Sequence, residues 1–269
     1  MNWFIKIIIN KIPRPYLIFW SRIFRPLIDL YFRGNRFYDP INKKSYRKFL
    51  PYGYVNQRSN ALSPGTLSLE RHRLLWLYLQ NETDFFSSKI KILHIAPEQA
   101  FFKFLKSLNN KNYITFDLNS PLADVKGDIC KMPFEDNFFD LVLCNHVLEH
   151  VDDDNKAMQE LYRVLNKNGT AILQVPIDLE RNETFEDVNV KTRQERMEKF
   201  GQYDHLRIYG SDYFKKLEKI GFHVEQNRYA TKFSKNEIKK YGIVENEIIP
   251  ICKKINLKLT SQIPLFYTL

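Results

Sequence analysis

The chain has 269 residues, 44% of them hydrophobic and 27% charged, with a net charge of +10. That length suits one α/β domain with a sizeable core plus an extension, and it is too short for two full domains. Nothing in it is repetitive or of low complexity, and no stretch of about 20 residues is apolar throughout, which excludes repeat, disordered and helix-spanning architectures.

The charge is uneven. Residues 1–60 hold twelve Lys or Arg against only Asp29 and Asp39, and the rest of the chain is balanced. Residues 3–32 are rich in Ile, Leu, Phe and Trp, but Lys6, Lys11, Arg14, Arg22, Arg25 and three prolines interrupt them. This segment is too broken for a spanning helix or a signal-peptide core. It reads as a basic, amphipathic extension whose partner is a membrane surface (through residues 1–33), RNA, or the protein's own domain, with a plain solvated surface as the alternative. Hydrophobicity equal to its basicity favours a membrane surface or the protein's own core over nucleic acid. Cys130, Cys144 and Cys252 show neither disulfide nor metal-ligand spacing, so a cytoplasmic setting is expected.

A helix is expected from Leu67 to Leu79, with Ser68 as its N-cap. Strand and helix then alternate. Strands are expected at Lys91–Ala96, Tyr113–Asp117, Ala123–Asp128, Leu141–Asn145 and Thr170–Val175, with helices through Phe101–Leu108 and Asp153–Leu165 between them. Thr192 and Glu195 have capping-box spacing, as do Ser234 and Glu237, and Gly201 and Gly221 close helices. Phe222–Tyr229 and Ile248–Cys252 complete seven strands, although Pro250 is awkward in a central one. This order predicts an α/β fold with a doubly wound, seven-stranded Rossmann-like sheet behind an N-terminal basic helical and knuckle extension. The expected parts are an extension at 1–66, a linking helix at 67–87, the sheet domain at 88–255 and a tail at 256–269. Ligand chemistry belongs at the carboxyl ends of the strands.

Three segments are the most informative: KILHIAPEQAFFKFL, YITFDLNSPLADVKGDICKMPFEDNFFDLVLCNHVLEHVDDD and ELYRVLNKNGTAILQVP. They resemble the class I S-adenosylmethionine (SAM)-dependent methyltransferases of type 11, and within them a bacterial subgroup whose first strand reads LHIAPE. SAM is the cofactor that the resemblance implies. A nucleoside cofactor needs an acid at the end of the second strand to accept its ribose hydroxyls, and Asp117, followed by Leu118, stands there. Asp117 also suits a simple turn before Asn119 and Pro121. The resemblance assigns Asp128 and Ile129 to the adenine and Asn145 to the methionine end.

The first loop departs from the usual glycine-rich pattern. Ala96, Pro97 and Glu98 replace it, and His94 stands where many relatives have an acid. No glycine occurs between Gly65 and Gly127, which disfavours pyrophosphate cofactors such as NAD and ATP. A carboxylate such as Glu98 suits the cationic groups of SAM instead. His146 and His150 are candidate general bases; as alternatives, one of them packs or caps. Their i, i+4 spacing suggests a metal, but no third ligand is evident in the sequence, so none is expected. The long run Asp178–His205 is expected to cover the substrate pocket. Glu149 and Asp178 are expected to face the substrate, and a subgroup-like YDH-R-YG stretch adds Tyr203, Asp204, His205 and Arg207, which equally suit a loop anchor.

Relatives in the subgroup carry two C-P-x-C pairs of a zinc-ribbon-like element. Here the matching places read Asp39-Pro40-Ile41-Asn42 and Ser63-Pro64-Gly65-Thr66, without thiolates, so a knuckle held by packing and free of metal is expected. The leading functional expectation is methyl transfer to a small molecule or glycan. The alternatives are an RNA methyltransferase and a non-catalytic scaffold of the same fold.

Overall fold

A computed structural model describes residues 16, 24, 26–53, 57–86, 89–108 and 112–255. Most of the basic segment at residues 1–33 therefore lies outside the described residues, as does the tail at 256–269. Among the described residues, no helix is long and apolar enough to cross a membrane. The chain divides into two units. One comprises the residues up to Thr83 with Gln99–Phe101 and Ala230–Glu247; the other comprises Asp84–Glu98, Phe102–Tyr229 and the residues from Ile248 on.

The first unit contains two antiparallel hairpins, β1 (Arg33–Asp39) with β2 (Lys44–Tyr46) and β3 (Leu50–Tyr52) with β4 (Arg58–Leu62), followed by helix α1 (Glu70–Glu82). Ser68 does not cap α1. The Leu69 amide donates to His72 Nδ1 instead, at 3.1 Å, because the Ser68 hydroxyl is needed elsewhere. It donates, like Thr66 Oγ1, to the fully buried carboxylate of Asp39, whose other oxygen accepts from the Ile41 amide. A buried carboxylate without such donors is costly. Beside it, Asn42 Nδ2 donates to the Tyr46 hydroxyl at 2.7 Å, and Tyr46 in turn donates to Asp29, which also holds Lys44 Nζ at 2.6 Å. Gly65 has no room for a side chain: a Cβ would fall on the Tyr46 hydroxyl, 2.5 Å from Asn42 Nδ2 and 2.7 Å from Asp29 Oδ1.

The second unit is built on a seven-stranded sheet. In chain order its members are β5 (Ile92–Ile95), β6 (Tyr113–Asp117), β7 (Val125–Lys126), β8 (Phe139–Asn145), β9 (Leu165–Gln174), β12 (His223–Asn227) and β13 (Ile249–Lys253). Their spatial order is β12-β13-β9-β8-β5-β6-β7. All neighbours run parallel except β13, which enters antiparallel between β9 and β12. Pro250 is tolerated because it precedes the paired stretch on one side: Ile251–Lys253 pair with β9, and Pro250 faces only Gln226 of β12. Between Leu165 and Thr170 the β9 register shifts, and Asn168 takes a left-handed φ of 64°. The Asn166–Gly169 stretch is thus an irregularity inside a strand.

The flanking helices are α2 (Gln99–Leu108), α3 (Asp154–Val164), α4 (Arg193–Phe200) and α5 (Tyr213–Ile220), while α6 (Lys235–Tyr241) belongs to the first unit. Both expected capping boxes form, at Thr192 with Glu195 and at Ser234 with Glu237, and Gly201 and Gly221 end their helices left-handed. The core joins the β5, β8 and β9 side chains Leu93, Val142, Cys144, Ala171 and Leu173 to Ala157, Leu161 and Val164 of α3 and Leu217 of α5. A small ladder, β10 (Phe185–Glu186) with β11 (Arg207–Ile208), lies beyond β9 in the chain.

Candidate active site

The sheet order turns back between β5 and β8, so the crevice at a doubly wound sheet's switch point lies beyond the ends of these two strands. After β5 the chain turns at Ala96, which takes a φ of 47°, a conformation that costs an L side chain about 1–2 kcal/mol. Its amide donates to the Phe116 carbonyl at the end of β6. Glu98 then reaches back. One carboxylate oxygen contacts His94 Nε2, and the other accepts from Asn145 Nδ2 at 3.2 Å, so Glu98 ties β5 to β8. His94 is fully buried, with Nδ1 2.7 Å from the Tyr113 hydroxyl. Through these contacts it orients Glu98. Burial holds the Tyr113 hydroxyl protonated far above its ordinary range, and the nearby Glu98 adds to this.

At the end of β6, one oxygen of Asp117 accepts from the Asn119 and Ser120 amides, the first at 2.7 Å. The turn alternative for Asp117 is thus realised with one oxygen, and Oδ2 stays unengaged among the described residues. Leu118 beside it is 63% exposed. Asp128 accepts from the Cys130 amide and caps the 3-10 turn Ile129–Lys131, while Ile129 is buried. Asp117 pairs opposite Lys126, and its carbonyl accepts from the Gly127 amide, which places the two acids at neighbouring strand ends.

Beyond β8, His146 is also left-handed, at φ 54°, and its amide donates to the Gln174 carbonyl. A 3-10 turn follows at Leu148–His150. His146 Nδ1 lies 3.2 Å from Glu149 Oε1. Burial raises the Glu149 carboxyl's pKa, but His146, then His150, more than offset this, and the net shift is downward. His150 Nδ1 lies 3.0 Å from the Asp204 carbonyl, and its ring meets that of His205 edge-on at 4.8 Å. Burial pushes the His205 pKa down. Three donor atoms, one each from Glu149, His150 and His205, lie within 4.8 Å of one another. The sequence argument against a metal rested on the lack of a third donor; His205, 55 positions after His150, is a third candidate.

Arg207 is 3% exposed and spends its guanidinium on the turn itself. It donates to the Leu148, Val151 and Asp152 carbonyls and to Glu186. The Leu206 amide donates to the Glu149 carbonyl, so the 204–207 segment is laced to the 148–152 segment. Asp178 caps its own turn through the Glu180 amide and lies 3.7 Å from Arg181, and Tyr203 is exposed under the Arg193 guanidinium. The structure thus gathers His94, Glu98 and Asn145 into one chain of contacts and His146, Glu149, His150 and His205 into another, adjoining at residues 145 and 146. Tyr113 was absent from the candidate residues; the only available signal was that Tyr113 and Thr115 share one face of β6.

These residues fit SAM. The buried Asn145 Oδ1 has no hydrogen-bond partner, and together with Glu98 it offers acceptors for the ammonium and sulfonium groups, while Asp117 Oδ2 offers one for the ribose. Glu98, Asn145, Asp117, Leu118, Asp128 and Ile129, with the backbone of Ala96 and Pro97, are the groups that would hold it. SAM supplies a methyl group on a cationic sulfur.

A sheet with one antiparallel strand inserted beside its last parallel neighbour, and with acids after its second and third strands, has the arrangement of the Rossmann-like methyltransferase fold. Residues 83–173 match the family model described as a methyltransferase domain. Two curated relatives are similar in part. A sterol 4-C-methyltransferase of Caenorhabditis elegans is 30% identical over 88 residues, 33% of this chain and 25% of the relative. An uncharacterized protein of Methanocaldococcus jannaschii is 37% identical over 99 residues, 34% of this chain and 43% of the relative. The matches thus span less than half of either relative. Among solved structures, a SAM-dependent methyltransferase from Mesorhizobium loti aligns at 13% identity and a TM-score of 0.47, covering 67% of this chain and 96% of that one.

Proposed function

We propose that this protein transfers a methyl group from SAM to a small-molecule or glycan acceptor bound beside the segment 146–150. The observation that carries this reading is the polar cluster of His146, Glu149, His150 and His205, which adjoins the unsatisfied carbonyl oxygen of Asn145. Methyl transfer is an in-line displacement at an activated carbon, so the protein's work is alignment and removal of the acceptor's proton. His146 and His150 are the proton-accepting candidates, and Glu149 supports His146. Asp178, Tyr203 and His205 border the acceptor side on this reading, while Arg207 acts by holding the 148–152 turn. The hydrogen-bonded cluster of Asp29, Asp39, Asn42, Tyr46 and Thr66 stands, on the same reading, where the subgroup's metal knuckle would be.

The test is incubation with methyl-labelled SAM and separate small-molecule, glycan and RNA fractions. Label in the small-molecule or glycan fraction is expected, with His146→Ala lowering its rate by about 10²–10⁴-fold. Label confined to RNA would overturn the acceptor class. Tight SAM binding with no label anywhere would instead favour a non-catalytic role.

A further inference from the structure

The cluster beyond β8 holds more ligand chemistry than a proton relay requires. Glu149 is 1% exposed, and apart from the adjacent His146 no donor among the described residues meets its carboxylate oxygens. Its neighbour His146 lies 3.2 Å away, with Nε2 also buried and unpartnered. A buried carboxylate in that state is costly unless positive charge meets it. We propose that Glu149, His150 and His205 form a binding site for one divalent cation of borderline softness, Zn²⁺ or Fe²⁺.

Two imidazoles and one carboxylate are the donor set that such ions take, with at least one coordination position left open. The three donor atoms lie within 4.8 Å of one another, so side-chain rotations suffice to bring them to the roughly 2.1 Å that metal bonds need. His150 is oriented for the task. Its Nδ1 faces the Asp204 carbonyl at 3.0 Å, an acceptor only, which places the proton on Nδ1 and leaves the Nε2 lone pair free. The backbone keeps the ligands together, because Leu206 donates to the Glu149 carbonyl and Arg207 grips the Leu148, Val151 and Asp152 carbonyls on either side. On the methyltransferase reading, on which this last step rests, the open position takes an acceptor oxygen, which narrows the acceptor to hydroxyl-bearing compounds and leaves His146 as the base.

The full chain, stripped with a chelator, is titrated with Zn²⁺ and with Co²⁺ as its spectroscopic stand-in, by calorimetry and visible absorption. One ion per chain and Co²⁺ d–d bands are expected. Glu149→Gln and His205→Ala should each weaken uptake by about tenfold or more, while their metal-free thermal transitions stay cooperative and S-adenosylhomocysteine still binds. Absence of stoichiometric uptake by the unaltered chain, or uptake unchanged in both variants, overturns the site. S-adenosylhomocysteine binding separates the two ideas: metal uptake without it keeps the site and sinks the methyltransferase reading, and the reverse result does the opposite.

Discussion

Asp117 and Glu98 do different work in the same crevice, and substitution should separate them. Asp117 keeps one oxygen for its own turn and has the other unengaged, so on the proposed reading Asp117→Ala removes the acceptor for the ribose hydroxyls. Charged hydrogen bonds contribute about 1.5–3 kcal/mol each, and binding of S-adenosylhomocysteine should weaken by about a hundredfold in calorimetry. Ala96→Gly should act the other way on stability. Relief of its left-handed strain, partly offset by the extra freedom of glycine when unfolded, predicts a gain of up to about 1 kcal/mol in chemical denaturation. In the first unit, burial raises the Asp29 pKa, but Lys44 and Tyr46 outweigh it and the net shift is downward. Asp29 therefore stabilises the fold above its ordinary carboxylate range, and that contribution is lost as pH falls through its lowered folded value. Thermal melts below about pH 4 should show this loss, and Asp29→Asn should flatten it. At this scale the place of Asp117 was legible, because the strand pattern alone puts it at the end of β6. The neighbourhood of His205 to Glu149 and His150 was not, because only the fold brings it 56 residues back to Glu149.

The elements are held by two buried arginines whose charge is spent on carbonyls. Arg207 grips the 148–152 turn, and Arg73 of α1 donates to the Ala61, Ser68, Tyr241 and Gly242 carbonyls under the Phe49 ring. Burial pushes the Arg73 pKa down to about 10, still well above neutrality. Arg73→Met leaves those carbonyls unpaired and should cost about 3 kcal/mol or more in denaturant unfolding. Arg207→Met should cost a similar amount and also impair the acceptor side, seen as a lowered kcat with S-adenosylhomocysteine affinity nearly kept. Capping boxes and left-handed glycines were readable from sequence, since their geometry is local. The Ser68 cap was misread because the buried Asp39, brought in from 29 residues away, claims that hydroxyl. The register that excuses Pro250 depends on where β9 stops pairing, which no local pattern encodes.

At the scale of the whole molecule, the seven-stranded, mostly parallel sheet follows from the alternation of strand and helix seen in the sequence, whereas the antiparallel insertion of β13 between β9 and β12 does not; the switch point follows from the observed order. The two hairpins of the first unit were not legible as strands, because short edge-like segments such as LPY and KSY carry little periodicity. The glycine-poor first loop, with the Glu98 carboxylate turned to His94 and Asn145, disfavours a pyrophosphate and suits the cationic groups of SAM. Calorimetric titration of the full chain with S-adenosylhomocysteine, with NAD in parallel, tests this account most directly. It predicts one saturating site for S-adenosylhomocysteine and none for NAD; a folded sample that gives no heat with S-adenosylhomocysteine, or that binds NAD instead, would contradict it.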